Sequence, residues 1–192
     1  MLPGLRSTRA LLFALSCTAW AAVLPGCGEG NGGPGRGRAT AQSAGKVREA
    51  YSAEVVAITD GDTLRVLHEG KEQRVRLHGV DCPEAKQAYG TRAKQLASSL
   101  AFGKVVEVQV HDTDKYGRTV ARIVLPDGRD LAHELVRSGL AWWYRHFAQD
   151  EHAIEALEQE ARSARRGLWE EASPTAPWEF REQQKSAPRR AR

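Results

Sequence analysis

Cysteine is scarce in this chain of 192 residues, with only Cys17, Cys27 and Cys82. Long apolar runs are scarce too. The longest, ALLFALSCTAWAAVL from Ala10 to Leu24, is followed at once by Pro25 and Gly26. It is too short for a transmembrane helix, which needs about 20 apolar residues. With Arg6 and Arg9 ahead of it, the run has the layout of an export signal. It ends in LPGC, Leu24 to Cys27, which resembles the bacterial lipobox. On that reading residues 1–26 are a signal peptide of lipoprotein type and Cys27 is the lipidated first residue of the mature chain. The expected location is the cell envelope, on a membrane; without lipidation the chain is secreted or periplasmic. Cys82 is then left without a partner, which excludes an internal disulfide. No His/Cys set has the spacing of a zinc site either.

A basic face is also missing. The whole chain carries a formal charge of +4 and an isoelectric point near 9.1. Yet Tyr51 to Ala172 holds 17 Lys+Arg against 20 Asp+Glu, a net of −3. The positive excess sits at the two ends. Any polyanion bound by the middle must be held by a local cluster. GEGNGGPGRGRATAQSAG, Gly28 to Gly45, is glycine-rich and has no apolar period. Residues 27–48 are expected to be a flexible tether between anchor and domain. SPTAPWEFREQQKSAPRRAR, residues 173–192, reads as a basic, largely disordered tail, with Trp178 and Phe180 able to tack its first part onto the domain.

What remains, residues 49–172, reads as one domain. YSAEVVAI (51–58), DTLRVLHEG (62–70) and KEQRVRLHGV (71–80) have the alternation of three consecutive strands. EAKQAYGTRAKQLASSL, from Glu84, has apolar residues near helical spacing despite Gly90. GKVVEVQVHD (103–112) and GRTVARIVL (117–125) are two more strands. A helix follows, capped by Asp130 and stopped at Gly139. A last helix runs within 148–167, with arginines in its final turn. Five strands with a helix after the third match a mainly β fold with α, a five-stranded Greek-key barrel of the OB type carrying about three helices.

Four clusters carry chemistry. TDGDT (59–63) supplies Asp60 and Asp62. VRLHGVDCPE (75–84) puts Arg76 in a strand and Asp81 and Glu84 just past it. DTDKYGR (112–118) supplies Lys115, Tyr116 and Arg118. GLAWWYRHF (139–147) is aromatic and includes Tyr144. Short carboxylates on loops, Asp62 and Asp81, with a backbone carbonyl and waters make a hard-oxygen site suited to Ca²⁺. Arg76 and Arg118 can each grip two oxygens of a phosphodiester and follow the charge that builds there. Glu84, three residues beyond Asp81, can take a proton from an attacking water. Singly, each cluster has a structural explanation: a turn, a solvated strand face, a hairpin, a helix cap, a packing surface.

Taken in order, TDGDT, VRLHGVDCPE, DKYGR and LVRSGLAWWY resemble the staphylococcal nuclease (thermonuclease) family, over roughly Tyr51 to Trp169, and PWEFR (177–181) looks like a tail of its bacterial members. The resemblance implies an OB-barrel enzyme that cuts DNA and RNA phosphodiesters with Ca²⁺ and leaves 3′-phosphate ends, acting as a monomer on single-stranded or frayed substrate. It implies that Asp62, Asp81 and the backbone carbonyl of Cys82 hold the metal, with Asp60 just outside. It assigns Arg76 and Arg118 to the phosphate, Glu84 to the base, Lys115 and Tyr116 to a terminal phosphate, and Tyr144 to a base or sugar. Two departures stand out: Cys82 where the prototype has threonine, and a shorter connection after Glu84. The competing reading is a non-catalytic OB-fold module that binds nucleic acid or protein. Such modules lack parts of the acid and arginine set, which is complete here.

Overall fold

The computed structural model describes residues 47–186. The signal, most of the tether and Cys27 lie outside them. Among the described residues no helix is long and apolar enough to cross a membrane.

The chain opens with β1 (Glu49–Ile58), β2 (Thr63–His68) and β3 (Lys71–Leu77), an antiparallel meander. Alternation decides which face is buried. Val55, Leu64, Val66, Val75 and Leu77 point inward and are essentially inaccessible, while Arg65, Arg74 and Arg76 point out. Each aliphatic side chain buried this way contributes about 1.5–3 kcal/mol. Glu69 and Gly70, both at positive φ, make the tight turn between β2 and β3.

The third strand is shorter than its sequence pattern. It stops at Leu77, and Gly79 turns the chain at φ 76° into β4 (Val80–Asp81). That two-residue piece pairs with β7 (Trp142–Trp143), well outside the barrel sheet. A turn then leads to α1 (Gly90–Ala101). Next come β5 (Val105–Thr113) and β6 (Thr119–Val124). Strand β5 pairs with β1, and β6 runs parallel to β3, which closes a five-stranded barrel in the order β1-β2-β3-β6-β5. This is the mixed OB-type barrel expected.

Helix α2 (Leu131–Arg137) begins at Asp130, whose carboxylate accepts from the His133 N–H, and ends before Gly139 at φ 68°. Helix α3 (His152–Ser163) packs against α2, and a 3-10 turn covers Gly167–Glu170. The region read as a disordered tail differs from that expectation up to Ser186. Residues 177–186 form a fourth helix, α4 (Pro177–Ser186). Low hydrophobicity hid it, because only its first turn packs against apolar side chains. Trp178 packs with Trp142, Ala161, Leu168, Trp169 and Ala176 in a small second core.

Candidate active site

The loop between β1 and β2 is closed by the N–H groups of Thr59 and Asp60, which both donate to the Thr63 carbonyl. Gly61 sits within it against α1. A Cβ there would lie 2.8 Å from Ala93 Cβ and from Cys82. This close approach turns Asp62 inward, 2% exposed. Oδ2 of Asp62 accepts from the backbone N–H of Cys82 at 2.6 Å, and Oδ1 from the Thr63 hydroxyl at 3.2 Å. Asp60 stands behind, its Oδ1 accepting from the Asp62 N–H at 3.3 Å.

Arg76 is the outward residue between Val75 and Leu77, so its guanidinium reaches over the strand ends. It ion-pairs with Asp62 and donates to Asp81 Oδ1 at 2.6 Å and to the Val80 carbonyl at 3.1 Å. Burial alone would lower the pKa of Arg76; Asp62 and Asp81 outweigh it and hold the group charged. Burial pushes the Asp62 carboxyl above its ordinary value although Arg76 opposes this. Asp81 is wholly buried. Its Oδ2 accepts from Arg181 of α4 at 2.7 Å. The same guanidinium donates to Glu84 Oε1 at 2.9 Å. Glu84, 41% exposed at its side chain, keeps a face to solvent.

The sequence-derived residues therefore separate into groups. Asp60, Asp62, Arg76, Asp81, Cys82 and Glu84 form one connected cluster. Arg118 stands apart from the acids. Its Nε donates to Asp114 Oδ2 at 2.7 Å, and the Asp114 carboxylate also accepts the N–H groups of Tyr116 and Arg118. Arg76 pairs with Val120 across the parallel β3–β6 ladder, and Arg118, two residues from Val120, shares that outward face. Lys115 lies over the Tyr116 ring, and Tyr116 is 70% exposed. Tyr144 stacks on Trp178, centroids 5.5 Å apart and planes 8° from parallel, and leans on Phe147. Trp142 and Trp143, taken from sequence as part of an aromatic patch, are core residues.

Two participants escaped the sequence reading. Asp114 was passed over as turn composition; its offset from Gly117 and Arg118 is the signature of a side-chain-organised turn. Arg181 lay in a segment read as tail, and only PWEFR marked it.

As a ligand set the cluster is hard. Burial, then Asp62, raise the Cys82 thiol well above its usual value, so it stays protonated and unsuited to metal. Asp60, Asp62, Asp81 and Glu84 bring four negative charges against the two of Arg76 and Arg181. That excess and the oxygen donors fit one divalent cation. As the side chains stand, no three His, Cys, Asp or Glu groups among the described residues converge tightly enough to hold one, and guanidinium groups stand against the acids.

Residues 74–171 match the family described as Staphylococcal nuclease homologue. An "Uncharacterized endonuclease" of Escherichia coli O157:H7 is 40% identical over 127 residues, covering 66% of this chain and 82% of that protein. A "Micrococcal nuclease" of Shigella flexneri is 38% identical over 146 residues, covering 71% and 84%. "Protein ParB" of Escherichia coli is 40% identical over 137 residues, covering 67% and 77%.

Proposed function

From its place in the Staphylococcal nuclease homologue family, to which the chain belongs, we propose that this protein is a Ca²⁺-dependent nuclease that hydrolyses phosphodiester bonds of DNA and RNA. The observation that carries the reading is the meeting of Asp62, Arg76, Asp81 and Glu84 from three separate segments at one end of the barrel.

Asp62, Asp81 and the Cys82 carbonyl would hold the cation, with Asp60 fixing the Asp62 backbone. A Ca²⁺ ion there would supply Lewis acidity to the phosphodiester. Arg76, already charged and aimed over the strand ends, takes the other non-bridging oxygens. Arg118 joins it by leaving Asp114. Positive charge fixed in this way stabilises the phosphorane-like transition state more than the ground state. Glu84 accepts a proton from the attacking water, whose oxygen forms the new bond to phosphorus. The bond to the 5′-oxygen breaks, that oxygen is protonated from solvent, and a 3′-phosphate end remains. Lys115 and Tyr116, on the exposed β5–β6 turn, meet a neighbouring phosphate, and Tyr144 a base or sugar.

The export-like run before LPGC supports a cell-envelope location for the enzyme, with Cys27 as the lipidated residue. The basic C-terminal residues Arg189, Arg190 and Arg192 add a weak, salt-sensitive attraction for the substrate.

The test is cleavage of single-stranded DNA by the purified protein with Ca²⁺, with chelator, and with Glu84→Gln. Cutting should need Ca²⁺ and fall by orders of magnitude in the variant. A folded wild type that stays inactive with Ca²⁺ overturns the reading in favour of a binding module.

A further inference from the structure

Among the described residues, Arg181 is the one guanidinium in the acid cluster that comes from outside the barrel and its capping loops. It donates to both oxygens of Asp81, at 2.7 and 3.3 Å, and to Oε1 of Glu84 at 2.9 Å. Burial works against its charge, but Asp81 and Glu84 prevail and keep it protonated. With Arg76 on Oδ1, both oxygens of Asp81 are engaged by arginine.

The placement is built. Trp178, one helical turn before Arg181, stacks on Tyr144 and meets Trp142 edge-on at 5.7 Å. Gln87 binds both sides of the junction. Its side-chain amide donates to the Thr175 carbonyl and its Oε1 accepts from the Glu84 N–H. So the residues just before α4 are pinned to the segment that carries Glu84. Arg181 is 37% exposed at its side chain, which leaves its guanidinium free to move without unpacking a core.

Such a contact conflicts with the proposed chemistry. A carboxylate held by a guanidinium is a weaker base toward water, and a guanidinium on Asp81 Oδ2 competes with a cation for that oxygen. We propose that Arg181 is a third arginine of the active site, parked on Asp81 and Glu84 in the free enzyme, displaced when a divalent cation takes Asp81, and then taken up by the scissile phosphate. This rests on the nuclease reading above. Repulsion by the entering cation drives the release, and the phosphate addressed by Glu84 lies within reach of a group already at Glu84.

Two measurements on the full chain test it, with Arg181→Gln and Arg181→Lys beside wild type. The first is Ca²⁺ binding by calorimetry without nucleic acid. Arg181→Gln should bind on the order of tenfold tighter, because the competitor is gone. Damage to the fold would weaken binding instead, so the direction separates the two causes. The second is kcat/KM for a single-stranded oligonucleotide at saturating Ca²⁺. It should fall about tenfold or more in Arg181→Gln, with partial recovery in Arg181→Lys. Unchanged or weaker Ca²⁺ affinity in a folded Arg181→Gln overturns the parking step, and unchanged kcat/KM overturns the phosphate contact. A folded wild type that binds no Ca²⁺ overturns the nuclease reading along with it.

Discussion

The backbone N–H of Cys82 donates to Oδ2 of Asp62 across 2.6 Å, tying the β1–β2 loop to the turn after β4. Twenty residues separate the two groups in sequence, yet this bond sets the spacing of the buried carboxylates. It joins the backbone of Cys82, not its thiol, so the residue type there matters little to the contact.

The buried thiol itself is the first consequence. Cys82 is 4% exposed and its pKa is raised. Iodoacetamide should leave Cys82 unmodified in the folded protein and alkylate it fully in denaturant, as peptide mapping by mass spectrometry will report.

Gly90, which opens α1, has no space for a side chain: a Cβ would overlap the carbonyl oxygen of Glu84. Gly90→Ala must push the Glu84 segment away from the helix. We expect about 1–3 kcal/mol of lost stability in denaturant titration. Nuclease activity should fall further than that loss explains, since Glu84 itself moves.

Asp114 holds the β5–β6 turn by three hydrogen bonds, from two backbone N–H groups and the Arg118 side chain. Asp114→Ala should loosen Lys115, Tyr116 and Arg118 together. Steady-state kinetics should show kcat/KM lowered about tenfold or more, with Ca²⁺ affinity unchanged because the turn lies apart from the acids.

His111 stacks on His78 with ring centroids 4.2 Å apart, and its Nε2 is buried without a hydrogen-bond partner. Burial, then His78, lower the His111 pKa; burial lowers that of His133 despite Asp130. A folded pKa below the unfolded value means that the unfolded chain takes up protons first as pH falls. The stability due to these neutral rings is therefore complete above the unfolded value, about 6.5, and is lost as pH drops through the folded values. Urea midpoints measured from pH 7.5 to 5 should fall, and His111→Phe should flatten that slope.

Much of the barrel was legible in the sequence because burial has a period of two along its strands. Val55, Leu64, Val66, Val75 and Leu77 alternate with polar residues, and turn glycines mark the ends. The cluster of acids and arginines was legible for a different reason. Its side chains sit in short motifs whose residue types have few other reasons to occur together. The short β4–β7 pairing was not legible, since two residues carry no period. Helix α4 was hidden because its one anchored turn offers a single tryptophan instead of an apolar stripe.

Local order in the sequence determined the strands, the caps at Asp130 and Gly139, and the identity of the acids and arginines. Which charges meet was decided by tertiary structure. Strand register aimed Arg76 and Arg118 at one face, a turn organised by Asp114 held Arg118 back, and a helix from beyond the barrel set Arg181 on Asp81 and Glu84. Spacing along a chain fixes neighbours only within an element. Contacts between residues 97 or 100 positions apart, as in Arg181 with Glu84 and Asp81, exist only once packing has brought the elements together.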